Sequence, residues 1–217
     1  GMLDKRTFRI CKVSVRRGIG DAHETEYEAT VAYDGSAVSV RLDSEDRAVG
    51  ETEVTRYIQN PGFEEDNAPL NKKAPAGWTV NSPTTWWGVN KGGGNADPAA
   101  TEGQYIFGVW DGSNALTAEI SQVLSDLPSG RYKLTVDMHA PHKNALRRVG
   151  DQCLFANGEK AFFRDQIMTA GLSDNYPFQT VELEFIADGQ TPVKIGVSTS
   201  GAPAETWFKI DNFRLFR

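Results

Sequence analysis

Five tryptophans mark this 217-residue chain, and the sharpest chemistry lies with them. Trp86 and Trp87 stand side by side in a polar stretch that runs into Gly92-Gly93-Gly94. Flat indole faces stack on the C–H faces of sugar rings, and apolar area on a loop calls for a partner. The same pair also suits one ring tucked under the stretch and the other packed on a strand. Trp110 ends an apolar segment and leads into Asp111-Gly112-Ser113-Asn114. An aromatic platform beside Asp111 and Asn114 offers the acceptors and donors that hydroxyl groups need, in letters that also spell an ordinary turn. Arg147, in Asn144–Arg148, carries a guanidinium fork for a hydroxyl pair or a carboxylate, and suits a solvated surface equally. Tyr176-Pro177 is a comparable loop candidate. Trp78, after Gly77, fits the core, and Trp207 opens the last apolar segment and fits either place.

Other chemistries find little support. There is no Gly-x-Ser-x-Gly elbow and no Cys/His dyad. His139 and His142 flank Pro141, but zinc needs further ligands and the third histidine, His23, lies far off. Gly92-Gly93-Gly94 lacks the Lys-Ser/Thr and the helix of a phosphate loop, so it fits a flexible connection. Glycoside hydrolysis needs only two carboxylates across a cleft, and no pair stands out. Cys11 and Cys153 are far apart, and a chain with its own core needs no disulfide staple. The net charge of −6 has no basic stripe in it, which speaks against nucleic acid. No apolar run reaches the roughly 20 residues that span a bilayer, and Gly1–Ile10 contains no apolar signal core.

The elements that must position these residues are strands. In Ala118–Ala140, an apolar strand precedes a reversal at Asp126–Gly130, where proline fixes φ and glycine permits the turn. The next strand alternates cleanly, with Tyr132, Leu134, Val136 and Met138 on one face and Arg131, Lys133, Thr135 and Asp137 on the other. The pattern predicts a hairpin here, with a polar face that lines a groove if the sheet is concave and is merely solvated if it is convex. Before it, residues 6–42 predict three strands, the last two joined at Asp34-Gly35. Residues 43–55 are polar and acidic, a connection. Tyr57–Gln59 predicts a short strand, Ser82–Thr101 a loop, and Tyr105–Trp110 a strand. Further strands are expected at 152–157, 160–164, 178–187, 193–199 and 207–215. Many short strands with turns between them, and no long amphipathic helix, indicate a β-sandwich.

Four segments carry a resemblance. Asn60-Pro61-Gly62-Phe63-Glu64, then Gly77-Trp78, then Ile120–Val123 with Leu127–Tyr132, then Phe208–Leu215 fall in the order seen in galactose-binding-like jelly rolls, including the carbohydrate-binding modules of glycoside hydrolases. The resemblance covers about 56–217 and implies an all-β, two-sheet antiparallel jelly-roll sandwich, here preceded by a small three-stranded β meander over 1–50 that is either separate or packed on the main domain. It implies that the first and last strands are neighbours and that a structural calcium, a hard cation taking six to eight oxygens, is held by Glu64 and Asp211. The alternative is that Glu64 caps a loop and Asp211 satisfies main-chain donors. The function implied is non-catalytic binding of a glycan or polysaccharide through Trp86, Trp87, Trp110, Asp111, Asn114, Arg147 and Tyr176, in a secreted, periplasmic or cell-surface setting. The competing expectation is a structural or protein-interaction domain of an extracellular assembly. Oligomeric state, the sugar's identity and the role of the first 55 residues are not written in the sequence.

Overall fold

The computed structural model describes residues 52–94, 97–139, 152–163, 178–205 and 207–217, together with the backbone of strands at 9–17, 25–33 and 36–42. The chain divides into two compact units, Gly1–Ala48 and Val49–Arg217. In the first, β1 (Arg9–Arg17), β2 (Thr25–Tyr33) and β3 (Ser36–Leu42) form an antiparallel meander. β2 and β3 pair up to Tyr33↔Ser36, and Asp34-Gly35 lies outside the described residues. The β1 register shifts between Ile10 and Lys12, where the sequence alternation also slips.

The second unit is an antiparallel sandwich. Its strands are β4 (Leu70–Asn71), β5 (Thr79–Asn81), β6 (Trp86–Lys91), β7 (Tyr105–Trp110), β8 (Leu116–Leu124), β9 (Gly130–His139), β10 (Cys153–Ala156), β11 (Glu159–Phe162), β12 (Gln179–Ala187), β13 (Val193–Ala202) and β14 (Trp207–Phe216). One sheet runs β11-β10-β13-β8-β5, the other β12-β9-β14-β7-β6-β4. The last strand lies between β9 and β7, not beside the first strand β4; an isolated bridge joins Glu53 to Phe216, and Thr52 and Arg217 exchange main-chain hydrogen bonds. Thr55–Tyr57 is a 3-10 turn rather than the start of a strand. Trp78 is core, its ring tilted against that of Phe213 with centroids 4.7 Å apart, and it donates its indole N–H to the Asn60 carbonyl at 3.0 Å. It thereby pins the Asn60–Phe63 turn.

Ala118–Ala140 corrects the expected hairpin. β8 lies in the five-stranded sheet and β9 in the six-stranded one, so the link from Ser125 to Ser129 is an arch between layers. The physical reason is the packing of the two apolar faces. Leu116, Ala118, Ile120 and Leu124 of β8 and Tyr132, Leu134, Val136 and Met138 of β9 all join one buried core. Each buried side chain of this size contributes about 1.5–3 kcal/mol. Leu127 is buried in the arch itself, and the Tyr132 hydroxyl donates to the Pro128 carbonyl at 2.8 Å.

The second correction is β6. The glycine-rich Ser82–Thr101 stretch contains a six-residue strand, with Trp87 and Val89 turned to the core. Gly88 makes its pairing with β4 possible, because a Cβ there would meet the Leu70 carbonyl oxygen at 1.9 Å. The alternating strand directions bring the starts of β6, β10, β12 and β14 and the ends of β5, β7, β9, β11 and β13 to one end of the sandwich, here termed the loop end.

Candidate functional site

β7 sets the site. Its odd positions Tyr105, Phe107 and Val109 belong to the core, so Gly108 and Trp110 lie on the outer face of the six-stranded sheet. Antiparallel register then places Trp86 opposite Trp110 on one side and Trp207 opposite Trp110 on the other. Three tryptophans from three neighbouring strands thus form one row at the loop end. Two strand spacings make that row about 10 Å across, the scale of two linked sugar rings. Trp110 is 38% exposed, Trp86 and Trp207 are half-buried, and Trp87 packs on the core. The adjacent pair therefore divides into one outward and one inward ring.

Glycines seat two of these rings. The Trp86 ring reaches to 3.1 Å of where a Gly108 Cβ would be, and the Trp110 ring to 2.6 Å of the equivalent point on Gly112. Larger residues would force either indole to move. Beside the row, Lys209 forms an ion pair with Asp97 and lies 5.5 Å from the Trp207 ring centroid. Asp97 also accepts from Asn90 Nδ2 at 3.2 Å.

Asp111 is a clamp. Its Oδ1 accepts the N–H groups of Ser113 at 2.9 Å and Asn114 at 2.8 Å, and its Oδ2 accepts that of Thr85 at 3.1 Å. Its carbonyl accepts the Glu205 N–H at 2.8 Å. One residue thus ties the β5–β6, β7–β8 and β13–β14 connections together under the row. The main-chain donors of Ser113 and Asn114, above all, hold its carboxyl down at about 2. The Asn114 side chain is exposed and reaches Asp111 only at 3.4 Å. Arg147 and Tyr176 lie outside the described residues. Trp207, ambiguous by sequence, completes the row, and only strand register reveals it.

Glu64 and Asp211 converge on one segment. Glu64 Oε1 accepts the N–H groups of Gln104 at 2.8 Å and Tyr105 at 2.7 Å. Asp211 Oδ2 accepts from Thr101 N at 2.7 Å, Thr101 Oγ1 at 3.1 Å and Glu102 N at 3.0 Å, while Oδ1 takes Asn212 N at 2.8 Å. Burial pushes the Asp211 carboxyl up to about 7, against these donors. All four are N–H or O–H groups aimed at its oxygens, which opposes that rise without cancelling it. As placed, both carboxylates serve main-chain donors. Among the described residues, no group of three or more His, Cys, Asp or Glu is arranged to hold a metal ion.

The polar face of β9 is a ladder of mutual pairs. Arg131 meets Glu184 at 3.1 Å, Lys133 meets Glu182 at 3.9 Å, and Asp137 accepts from Thr180 at 2.7 Å and Asn212 at 2.9 Å. An open groove of about 360 Å³ runs over part of it, but its charges answer one another. At the opposite end of the sandwich, a hollow of about 440 Å³ is flanked by Gln122, whose amide is taken up by Gln59 and Gly77. Cys153 is a buried free thiol.

No family model matches the chain, and no curated protein does. Solved structures do. TmCBM61, a carbohydrate-binding module determined in complex with β-1,4-galactotriose, aligns at 23% identity over 74% of this chain and 97% of its own, with a TM-score of 0.50. A cyclase from Fischerella sp. TAU aligns at 20% identity over 73% of this chain and 94% of its own, also with a TM-score of 0.50. Likeness at this level shows the fold: the sandwich is a jelly roll like those of these two structures, one of them a carbohydrate-binding module. One neighbour holds a sugar and the other is an enzyme, so function must be argued from the site.

Proposed function

We propose that this chain is a non-catalytic glycan-binding module that holds sugar rings on Trp86, Trp110 and Trp207. The observation that carries the reading is the register row itself, three indoles across three strands with Trp110 open to solvent. A shared fold with a module that holds β-1,4-galactotriose supports the class of ligand and makes that trisaccharide the first probe. The carboxylates nearest the row argue for binding over hydrolysis. Asp111 is committed to main-chain donors and Asp97 to Lys209 and Asn90, so neither is a poised acid or base. A glycan ligand also suits a secreted, periplasmic or cell-surface location.

The test is a glycan array followed by calorimetry. Trp110→Ala and Trp86→Ala are expected to weaken binding about 10- to 100-fold, the loss of one buried aromatic contact, with the unfolding midpoint little changed. Trp87→Ala is expected to lower the midpoint instead, because Trp87 packs on the core. Absence of any glycan ligand for the folded protein, or unchanged affinity in both row variants, refutes the proposal.

A further inference from the structure

The hollow at the end of the sandwich opposite the tryptophan row takes no part in the row. It lies between the 3-10 turn Thr55–Tyr57 and the end of β8 with the start of the arch. Its volume of about 440 Å³ is within the roughly 300–1,000 Å³ of small-molecule sites. It is open to solvent, since Arg56, Gln59, Val123, Ser125 and Asp126 along it are all exposed. Its shape is set from beneath. The Gln122 side chain of β8 accepts the Gln59 N–H at 2.8 Å and donates to the carbonyls of Gln59 and Gly77 at 3.0 Å each, which ties the two walls together. Gly77, at φ 78°, lets the Gln59 side chain pack 2.8 Å from where a Cβ would stand. Leu124, on the other wall, is anchored in the core.

The lining is mixed in a specific way. The Arg56 guanidinium lies over the Tyr57 ring, 5.0 Å from its centroid, and the stack holds a planar fork of donors on one element. Asp126, on the other, supplies acceptors. Val123, 57% exposed, adds apolar surface. One cation and one anion leave the hollow without net charge, which disfavours a charged ligand. Each sugar hydroxyl both donates and accepts, so donors from one wall and acceptors from the other suit a ring of hydroxyls, with its C–H face on the apolar surface. We infer that this hollow is a second glycan site, for a neutral sugar. It goes beyond the tryptophan row and does not depend on it. The nine residues of β8, at about 3.3 Å each, set the two sites about 30 Å apart, so one molecule holds two glycan chains, or two stretches of one, at once.

The test uses the double variant Trp86→Ala/Trp110→Ala, which disables the row and leaves the hollow untouched. Calorimetry with β-1,4-galactotriose, cellotriose and xylotriose is expected to show a remaining site for at least one of them, weakened by about tenfold or more by Arg56→Ala or Asp126→Ala. Both side chains are exposed, so neither change is expected to move the unfolding midpoint. No binding of any of the three by the double variant, or binding that neither further substitution weakens, overturns the hollow as a sugar site and leaves the row as it was. Tighter binding of trigalacturonate than of galactotriose overturns the neutral class, since Arg56 would then be answering a carboxylate. If the row itself binds nothing, wild type and the double variant titrate alike, and the hollow still stands or falls on Arg56 and Asp126.

Discussion

Asp211→Asn separates a direct hydrogen-bonded clasp from a metal-bridged one. Asparagine keeps the shape of the side chain but replaces one acceptor oxygen with an NH2 group. If its oxygen keeps the Oδ2 place, it still faces Thr101 and Glu102, now without charge, while the amide nitrogen confronts the Asn212 N–H. Charge-assisted bonds contribute about 1.5–3 kcal/mol each, and an unmet buried donor costs about 1–3 kcal/mol. The neutral side chain recovers part of this, because burial of the fully enclosed carboxylate opposes its charge. The net expectation is a loss of about 2 kcal/mol, or roughly 4–8 °C in midpoint for a unit of this size. All five tryptophans lie beyond residue 77, so their fluorescence follows the sandwich without the N-terminal meander. Melts are to be run in EDTA and in millimolar calcium, where the wild-type midpoint is expected to be the same. Two results refute the reasoning. An Asp211→Asn midpoint at or above wild type means that desolvation outweighs the four donors. A calcium-dependent rise in wild type that the variant lacks places a metal between Glu64 and Asp211.

Two further outcomes follow from the same geometry. Leu127→Ala removes the apolar anchor of the β8–β9 arch and is expected to cost about 2–4 kcal/mol by fluorescence-monitored urea unfolding; a change below about 1 kcal/mol would mean that the arch holds through Tyr132 and Pro128 alone. Asp111 has a folded-state pKa of about 2, below its ordinary 3.8, so its stabilisation is present above pH 3.8 and is lost as pH falls towards 2. Asp111→Asn should flatten the fall of the midpoint across that window, with the remaining slope supplied partly by Asp188, held at about 2 by Thr191 and Gln190; an unchanged slope would show that Asp111 does not clamp the loop end.

The strands were legible wherever one face meets the core, as in β9, whose alternation from Tyr132 to Met138 runs unbroken. Pairing was not. Alternation states which face is buried, and the same letters serve a hairpin or an arch. The residue that distinguishes them is Leu127, an apolar side chain in the middle of a turn, and it gains meaning only when a second sheet lies across from it. In β6 the alternation of Trp87 and Val89 against Trp86, Gly88 and Asn90 was present, but glycine content suggested a loop. Here glycine marks a close approach of two backbones, Gly88 against Leu70. The Trp86–Trp110–Trp207 row depends on register between segments more than 20 residues apart at the least, so each indole looked like a separate local feature. Glu64 and Asp211 were legible as residues that matter but not for what they hold. Their partners are main-chain amides of Thr101, Glu102, Gln104 and Tyr105, and every residue except proline has such an amide. A carboxylate that closes on backbone therefore leaves half of its interaction outside the alphabet, whereas a metal shell of side chains would have left a cluster of letters.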